Sequence, residues 1–293
     1  MKQIHFIVNP IAGSGKYALE LDDLNSVFDS NGYKIIIKKS NFKKHAIELT
    51  KESINEQADI IVACGGDGTI NEVASCLVNT AIPLGIIPIG SGNGLASNLK
   101  IPKNIKKAIQ KIKANNQIKI DVGVFNNHFF FSNCGVGFDA SVVKNYENSE
   151  SRMLSSYMFS TFKSFRDINY DDSLEVVVNE NSFMLKPFMI FTSNSNQMGY
   201  NFSLTPKASL TDGLLDVLVI SKMSRLKLCL LGILILFRKQ YLLNEVQSIK
   251  TKSLNISSKT KQSFEAQIDG ELRLINNNSI SISLLPKKLN IIV

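Results

Sequence analysis

Gly65-Gly66-Asp67-Gly68-Thr69 lies between the apolar run Asp59-Ile60-Ile61-Val62-Ala63-Cys64 and the helical pattern Ile70-Asn71-Glu72-Val73-Ala74. A strand that passes through three glycines into a helix is a phosphate-binding arrangement. Residues without Cβ let the backbone turn its N–H groups toward an anion, and the helix adds the positive end of its dipole. A carboxylate in the middle of such a loop is useful if it holds a divalent metal or accepts the proton of a hydroxyl. The stretch therefore points to phosphoryl chemistry rather than to anion binding alone.

The same rhythm of strand, loop and helix runs through the first 122 residues. Strand signals at Ile4–Val8, Lys34–Lys38, Ile60–Cys64 and Leu84–Pro88 alternate with helical ones at Ala18–Asp29, Lys43–Asn55 and Ile70–Val78. This predicts an α/β domain with a doubly wound, mostly parallel sheet. Ligands of such sheets bind at the carboxyl ends of the strands. Glycine-rich turns fall at those ends three times: Asn9-Pro10-Ile11-Ala12-Gly13-Ser14-Gly15-Lys16, Gly65–Thr69, and Pro88-Ile89-Gly90-Ser91-Gly92-Asn93-Gly94.

From about Asp121 the pattern changes to short alternating segments: Phe129–Asn133, Leu174–Val178, Phe188–Ser193, Leu214–Ile220, Ser248–Ile256, Gln262–Ile268 and Ser279–Leu285, with helical stretches at Leu154–Phe165 and Leu226–Phe237. These predict a mainly antiparallel β-sandwich. The expected domains are 1–122, α/β, and 123–293, β-rich, with the last strand free to return to the first.

Composition narrows the classes. Four cysteines and three histidines show no metal or disulfide spacing, and the start shows no signal segment, so a reducing cytoplasmic setting is expected. The net charge of +8 is shared evenly between the two parts and forms no basic tail, so no nucleic-acid partner is expected. Two segments carry cations in an amphipathic or apolar setting. Lys100–Lys119 holds seven lysines and no acid, with Ile105, Ile109 and Ile112 at helical spacing. Leu226–Phe237 is the most apolar run, flanked by Arg225 and Lys227 and by Arg238 and Lys239. It is too short for the roughly 20 residues that a spanning helix needs. Each suits a membrane surface or ordinary packing.

The first loop is not a Walker A motif, because Pro10 stands where that pattern needs a glycine, and no glycine set makes G-x-G-x-x-G after a strand. What remains are backbone donors at Gly13 to Gly15 and a cation at Lys16. Asn-Pro-x-Ala-Gly-x-Gly-Lys, Gly-Gly-Asp-Gly-Thr-x-Asn-Glu-Val and Pro-x-Gly-Ser-Gly-Asn, in that order, resemble the diacylglycerol kinase catalytic domain. That superfamily includes sphingosine and ceramide kinases and the bacterial YegS-like lipid kinases. The resemblance continues through Ile120–Gly123, Gly135–Ala140, Ser193-Asn194, Pro206 with Ala208, Asp212–Asp216 and Gln267–Glu271.

The resemblance implies an NAD kinase-like nucleotide domain with ATP among Asn9, Ala12, Gly13, Ser14, Gly15, Lys16, Ser40, Gly66, Asp67, Gly68, Thr69, Asn71, Glu72, Ser91 and Asn93. It implies a base in the Asp269-Gly270-Glu271 turn, Glu271 first and Asp269 second, with Asp67 and Asp121 flanking the transferred phosphate through Mg2+. A second metal site is implied at Asp212, aided by main-chain oxygens of Ser209 and Leu214. The active site is expected in a cleft between the domains. One departure stands out: bacterial members commonly carry aspartate after the asparagine of the third loop, whereas here Gly94 follows Asn93, and a small residue there resembles sphingosine and ceramide kinases. The expected activity is an ATP- and Mg2+-dependent lipid kinase acting on diacylglycerol to give phosphatidic acid. A sphingoid or ceramide acceptor comes second and a soluble dinucleotide kinase third. The enzyme is expected to sit peripherally at the inner face of the membrane; a homodimer is left open.

Overall fold

The computed structural model describes residues 1–13, 24–29, 32–149, 154–167, 172–197 and 203–293. Ser14, Gly15, Lys16 and the first half of the expected helix Ala18–Asp29 lie outside them. The chain forms two compact units, Met1–Val122 with Pro286–Val293, and Gly123–Leu285.

In the first unit, β1 (Lys2–Val8), β2 (Tyr33–Lys39), β3 (Ile60–Gly65), β4 (Leu84–Pro88) and the end of β16 (Ser279–Ile292) form a sheet in the order β2-β1-β3-β4-β16. Neighbours in that order pair in parallel. Strands covered on both faces read as continuous apolar runs, and all six residues of β3 are buried. Helices His45–Asn55, Asp67–Leu77 and Ile105–Ala114 provide cover. Ile70, Val73, Ala74 and Leu77 give the second of these one buried face at helical spacing.

Helix Ile105–Ala114 is started by the Asn104 side chain, which accepts from the Lys107 N–H, and it buries Ala108, Ile109 and Ile112. Gly85 in β4 makes that packing possible: a Cβ there would stand 3.1 Å from both Ile112 and Val62 side chains. The apolar residues of the Lys100–Lys119 segment thus serve this unit's own core.

The second unit contains an antiparallel sheet in the order β12 (Val246–Thr251), β11 (Leu215–Ser221), β10 (Pro187–Ser193), β7 (Asn133–Gly137), β14 (Phe264–Ile268), β15 (Glu271–Ile275). A second set pairs the start of β16 with β13 (Ser253–Ser258), β8 (Leu174–Val178) and β9 (Asn181–Leu185), again antiparallel. The end of β5 (Gln117–Phe125) makes a hairpin with β6 (His128–Phe130). Cys134, Val136, Ile190, Val217 and Ala266 from one sheet meet Val176, Leu254, Ile256 and Ile280 from the other in a single core. This is the sandwich the alternation predicts. The far face of β11, Leu218 and Ile220, packs instead with Leu228 and Leu231 of helix Arg225–Leu236.

Ser248–Ile256, expected as one strand, is two. The Thr251 hydroxyl accepts from the Ser253 N–H and donates to the Ser253 carbonyl, so the ladder breaks at Lys252 and the chain changes sheets. The expected Phe129–Asn133 strand also divides, between β6 and β7.

Candidate nucleotide and acid-base sites

The expected site residues fall into two groups, one in each unit. In the first unit the three loops hold one another through backbone contacts. The Asn9 N–H donates to the Cys64 carbonyl, and the N–H groups of Ile89 and Gly90 donate to the Gly65 carbonyl. Side chains on two of these contacts are sterically excluded. A Cβ at Gly13, which has φ +65°, would lie 2.4 Å from the Ile89 carbonyl oxygen, and one at Gly90 would lie 2.5 Å from the Gly66 Cα. The glycines therefore let three loops close on one another.

Asn9 fastens the first loop to the second. Its Nδ2 donates to the Thr69 hydroxyl at 3.1 Å, while its Oδ1 accepts from the Ile11 N–H. Ser40 joins the end of β1 through its N–H to the Val8 carbonyl, and Glu72 accepts from the Lys44 N–H at 3.0 Å. Helix Asp67–Leu77 starts from Gly66, which has no side chain to cap it. Gly68 in its first turn is exposed, with nothing within 4 Å of where a Cβ would be. An uncapped, accessible helix start has free N–H groups and a positive dipole end, which suits a phosphate. Ala12, Gly13, Ser40, Thr69, Asn71, Glu72, Ser91 and Asn93 all belong to this unit.

Asp67 is bound to the third loop. Its Oδ2 accepts from the Asn93 N–H and its Oδ1 from the Gly94 N–H, both at 2.8 Å. Asn93 is left-handed at φ 53° and donates its Nδ2 to the Gly90 carbonyl, which shapes the turn. Burial pushes the Asp67 carboxyl up from its ordinary value, against the N–H groups of Asn93, Gly94 and Asp67 itself, which favour the charged form. Asp121, fully buried, accepts from the Lys287 N–H at 2.8 Å.

In the second unit, the Asp269 carboxylate collects three N–H groups: Phe131 on Oδ2, and Ser132 and Asn133 on Oδ1, at 2.8 to 3.0 Å. Its own N–H donates to the Asn133 carbonyl. Asp269 and Gly270 are both left-handed, φ 48° and 81°, so the chain turns sharply and β15 begins at Glu271. Glu271 is partly exposed and pairs with Arg273 at 2.9 Å.

Two residues of this turn's support carried no assigned role in the sequence. Gln267 accepts from the Gly270 N–H with its Oε1 and donates its Nε2 to Asn133 Oδ1 and Asp139 Oδ2. Asp139, buried at the start of helix Phe138–Glu147, has its pKa raised to about 7 by desolvation, and its Oδ1 has no hydrogen-bond partner among the described residues. Gly135 admits it: a Cβ there would be 2.1 Å from Asp139 Oδ2. Strand parity conceals Gln267, because Phe264, Ala266 and Ile268 take the sandwich face and position 267 reads as outward. The signal that could have found it is the polar residue next to the Asp-Gly-Glu turn.

At Asp212 the carboxylate accepts from the Leu214 N–H and pairs with Lys250 at 2.8 Å; Asp216 lies 3.6 Å from the same ammonium. Positive charge is thus supplied there by a lysine. The Ser209 hydroxyl lies 3.4 Å from that of Thr211. Among the described residues no three metal-ligating side chains cluster.

The chain is similar to known proteins over almost its whole length. The diacylglycerol kinase catalytic domain family matches residues 3–125, and the YegS C-terminal NAD kinase beta sandwich-like domain matches residues 132–293. An uncharacterised protein of Synechocystis is 30% identical over 98% of this chain and 69% of its own length. A diacylglycerol kinase of Bacillus subtilis is 26% identical over 92% of this chain and 90% of its own. A solved diacylglycerol kinase structure from Bacillus anthracis superposes at TM-score 0.71, with 20% identity over 99% of this chain and 96% of that one, which speaks to the fold alone.

Proposed function

The chain belongs to the YegS-like diacylglycerol kinase family and is a lipid kinase, and from that premise we propose that it moves the γ-phosphate of ATP to the hydroxyl of diacylglycerol, giving phosphatidic acid. The observation that carries the nucleotide half is the uncapped helix start at Gly66–Gly68, around which Asn9, Gly13, Ile89 and Gly90 close. Ser14, Gly15, Lys16, Ser40, Ser91 and Asn93 complete the proposed ATP set.

A Mg2+ that accompanies a nucleotide is held by one or two carboxylates and the phosphates themselves, and Asp67 and Asp121 are the carboxylates proposed to hold it. When bound, the ion offsets charge on the phosphate oxygens. Asp212 fits a metal poorly, since Lys250 already neutralises it.

Phosphoryl transfer asks for positioning and charge stabilisation, and for a group that takes the proton from the attacking hydroxyl. Glu271 is that base. Asp269, with three backbone N–H groups on its two oxygens, is the anchor that aims it. Asp67 positions the third loop. A sphingoid acceptor is the second reading, favoured by Gly94 in place of a carboxylate. The decisive experiment incubates the purified protein with ATP, Mg2+ and a total lipid extract and identifies the phosphorylated product. Phosphatidic acid is expected; a phosphorylated sphingoid base would move the second reading to first place, and turnover of a dinucleotide with no lipid product would sink both.

A further inference from the structure

Helix Arg225–Leu236 is anchored on one side only. Leu228 and Leu231 are buried against Phe188, Phe191, Leu218 and Ile220 of the second unit. On the other side Leu226, Leu230, Ile233, Leu236 and Phe237 are exposed, Leu226 by 84% and Leu236 by 73%, and Tyr241 follows in the next turn at 66%. Positions 226, 230, 233 and 237 are spaced by four, three and four, so they stack as one stripe. Contiguous exposed apolar surface of this kind marks an interaction site.

Charge decides the occupant. Between Asp216 and Glu245 the sequence contains no acid, and it contains Lys222, Arg225, Lys227, Arg238 and Lys239. Lys227 pairs with Glu245; the cations at both ends of the stripe otherwise belong to a segment without acids. A second copy docking through the same patch would bring the same cations face to face, because a two-fold interface is self-complementary. An anionic lipid surface meets both requirements at once: acyl chains for the leucines and phosphates for the arginines and lysines. The helix has 12 residues, about 18 Å of length, against a hydrocarbon core of about 30 Å. It can lie in the interface and cannot cross it.

We propose that helix Arg225–Leu236 and the turn to Tyr241 form the surface by which this protein docks on anionic membranes. This rests on the lipid kinase reading for its purpose but not for its test. The full chain is sedimented with vesicles of phosphatidylglycerol and phosphatidylcholine, and with phosphatidylcholine alone. The wild type is expected to bind the anionic vesicles. Leu230→Glu with Ile233→Glu should weaken that binding at least tenfold, and Leu226→Glu with Phe237→Ser should repeat the effect at residues equally clear of the core. Arg238→Ala with Lys239→Ala should weaken anionic binding several-fold per charge at low salt and leave neutral vesicles unaffected. Kinase activity on a short-chain acceptor dispersed in water should be unchanged in all three, while activity on vesicle-borne acceptor falls.

Unchanged vesicle binding in both apolar double variants overturns the proposal. So does a wild-type dimer that becomes monomeric in those variants while vesicle binding persists. Vesicle binding that is lost as expected, in a protein that phosphorylates no lipid, supports the docking surface and sinks the kinase substrate reading instead.

Discussion

Asp67 and Asp269 stand in different units and on different turns, yet both carboxylates do the same thing: they collect backbone N–H groups from a loop distant in sequence. Asp67 takes those of Asn93 and Gly94, and Asp269 takes those of Phe131, Ser132 and Asn133. The difference lies in what each arrangement delivers. Asp67 closes a set of glycine loops beside an open helix start, whereas Asp269 and the left-handed Gly270 deliver a neighbour, Glu271, whose described partner is a side chain, Arg273. In the proposed reading, the carboxylate engaged by several fixed backbone donors stabilises a shape, while its neighbour on the same turn takes the proton. Acidic residues in one motif can therefore have opposite jobs.

That contrast can be broken most directly at Glu271. Glu271→Gln should lower kcat by about 10²- to 10⁴-fold with the ATP KM and the melting temperature nearly unchanged; near-full activity would return the base role to Asp269. Asp269→Asn should act mainly on stability, since an amide nitrogen facing any of the three donors leaves an N–H unpaired. A loss of about 1–3 kcal/mol, read by urea unfolding, is expected. Should activity vanish with stability intact, the anchor assignment fails.

Gly90→Ala tests the other half: its Cβ would meet the Gly66 Cα at 2.5 Å. The loops must then part, so the ATP KM should rise roughly tenfold or more while vesicle binding is unaffected. The last test concerns Asp139, whose carboxyl pKa is raised to about 7 because it is desolvated. A carboxyl whose folded pKa exceeds its unfolded value stabilises the fold below the unfolded value of about 4, and that contribution is lost as pH rises toward 7. Stability should fall across pH 4–7 with a slope of at most about 1.4 kcal/mol per pH unit from this group, and Asp139→Asn should remove that component.

Much of the fold is legible in the sequence because glycine loops punctuate β1, β3 and β4 at their carboxyl ends, where parallel sheets keep their ligands. The sandwich is legible from alternation alone. What alternation misses is the break at Thr251–Ser253, where a hydroxyl replaces a ladder bond without disturbing the apolar pattern. The site shows the same limit. Spacing singles out Asp67 and the family resemblance singles out the Asp269–Glu271 turn, but neither reveals which N–H groups they meet 27 or 138 residues away. Gln267 and Asp139 stay hidden because their importance comes from burial, and burial of a polar side chain leaves no periodic trace.

The closing strand of the first unit carries a consequence for biosynthesis. Ile291 pairs with Leu84, the Asn79 N–H donates to the Lys288 carbonyl, and the Val293 N–H donates to the Asn116 carbonyl. Those partners leave the ribosome only after Gly123–Leu285 has been made. Until then the β4 edge lacks its final neighbour, and an uncovered strand edge invites mispairing. The first unit thus begins to be made before the second but is completed after it, and a product truncated at Val122 would emerge with that edge still open.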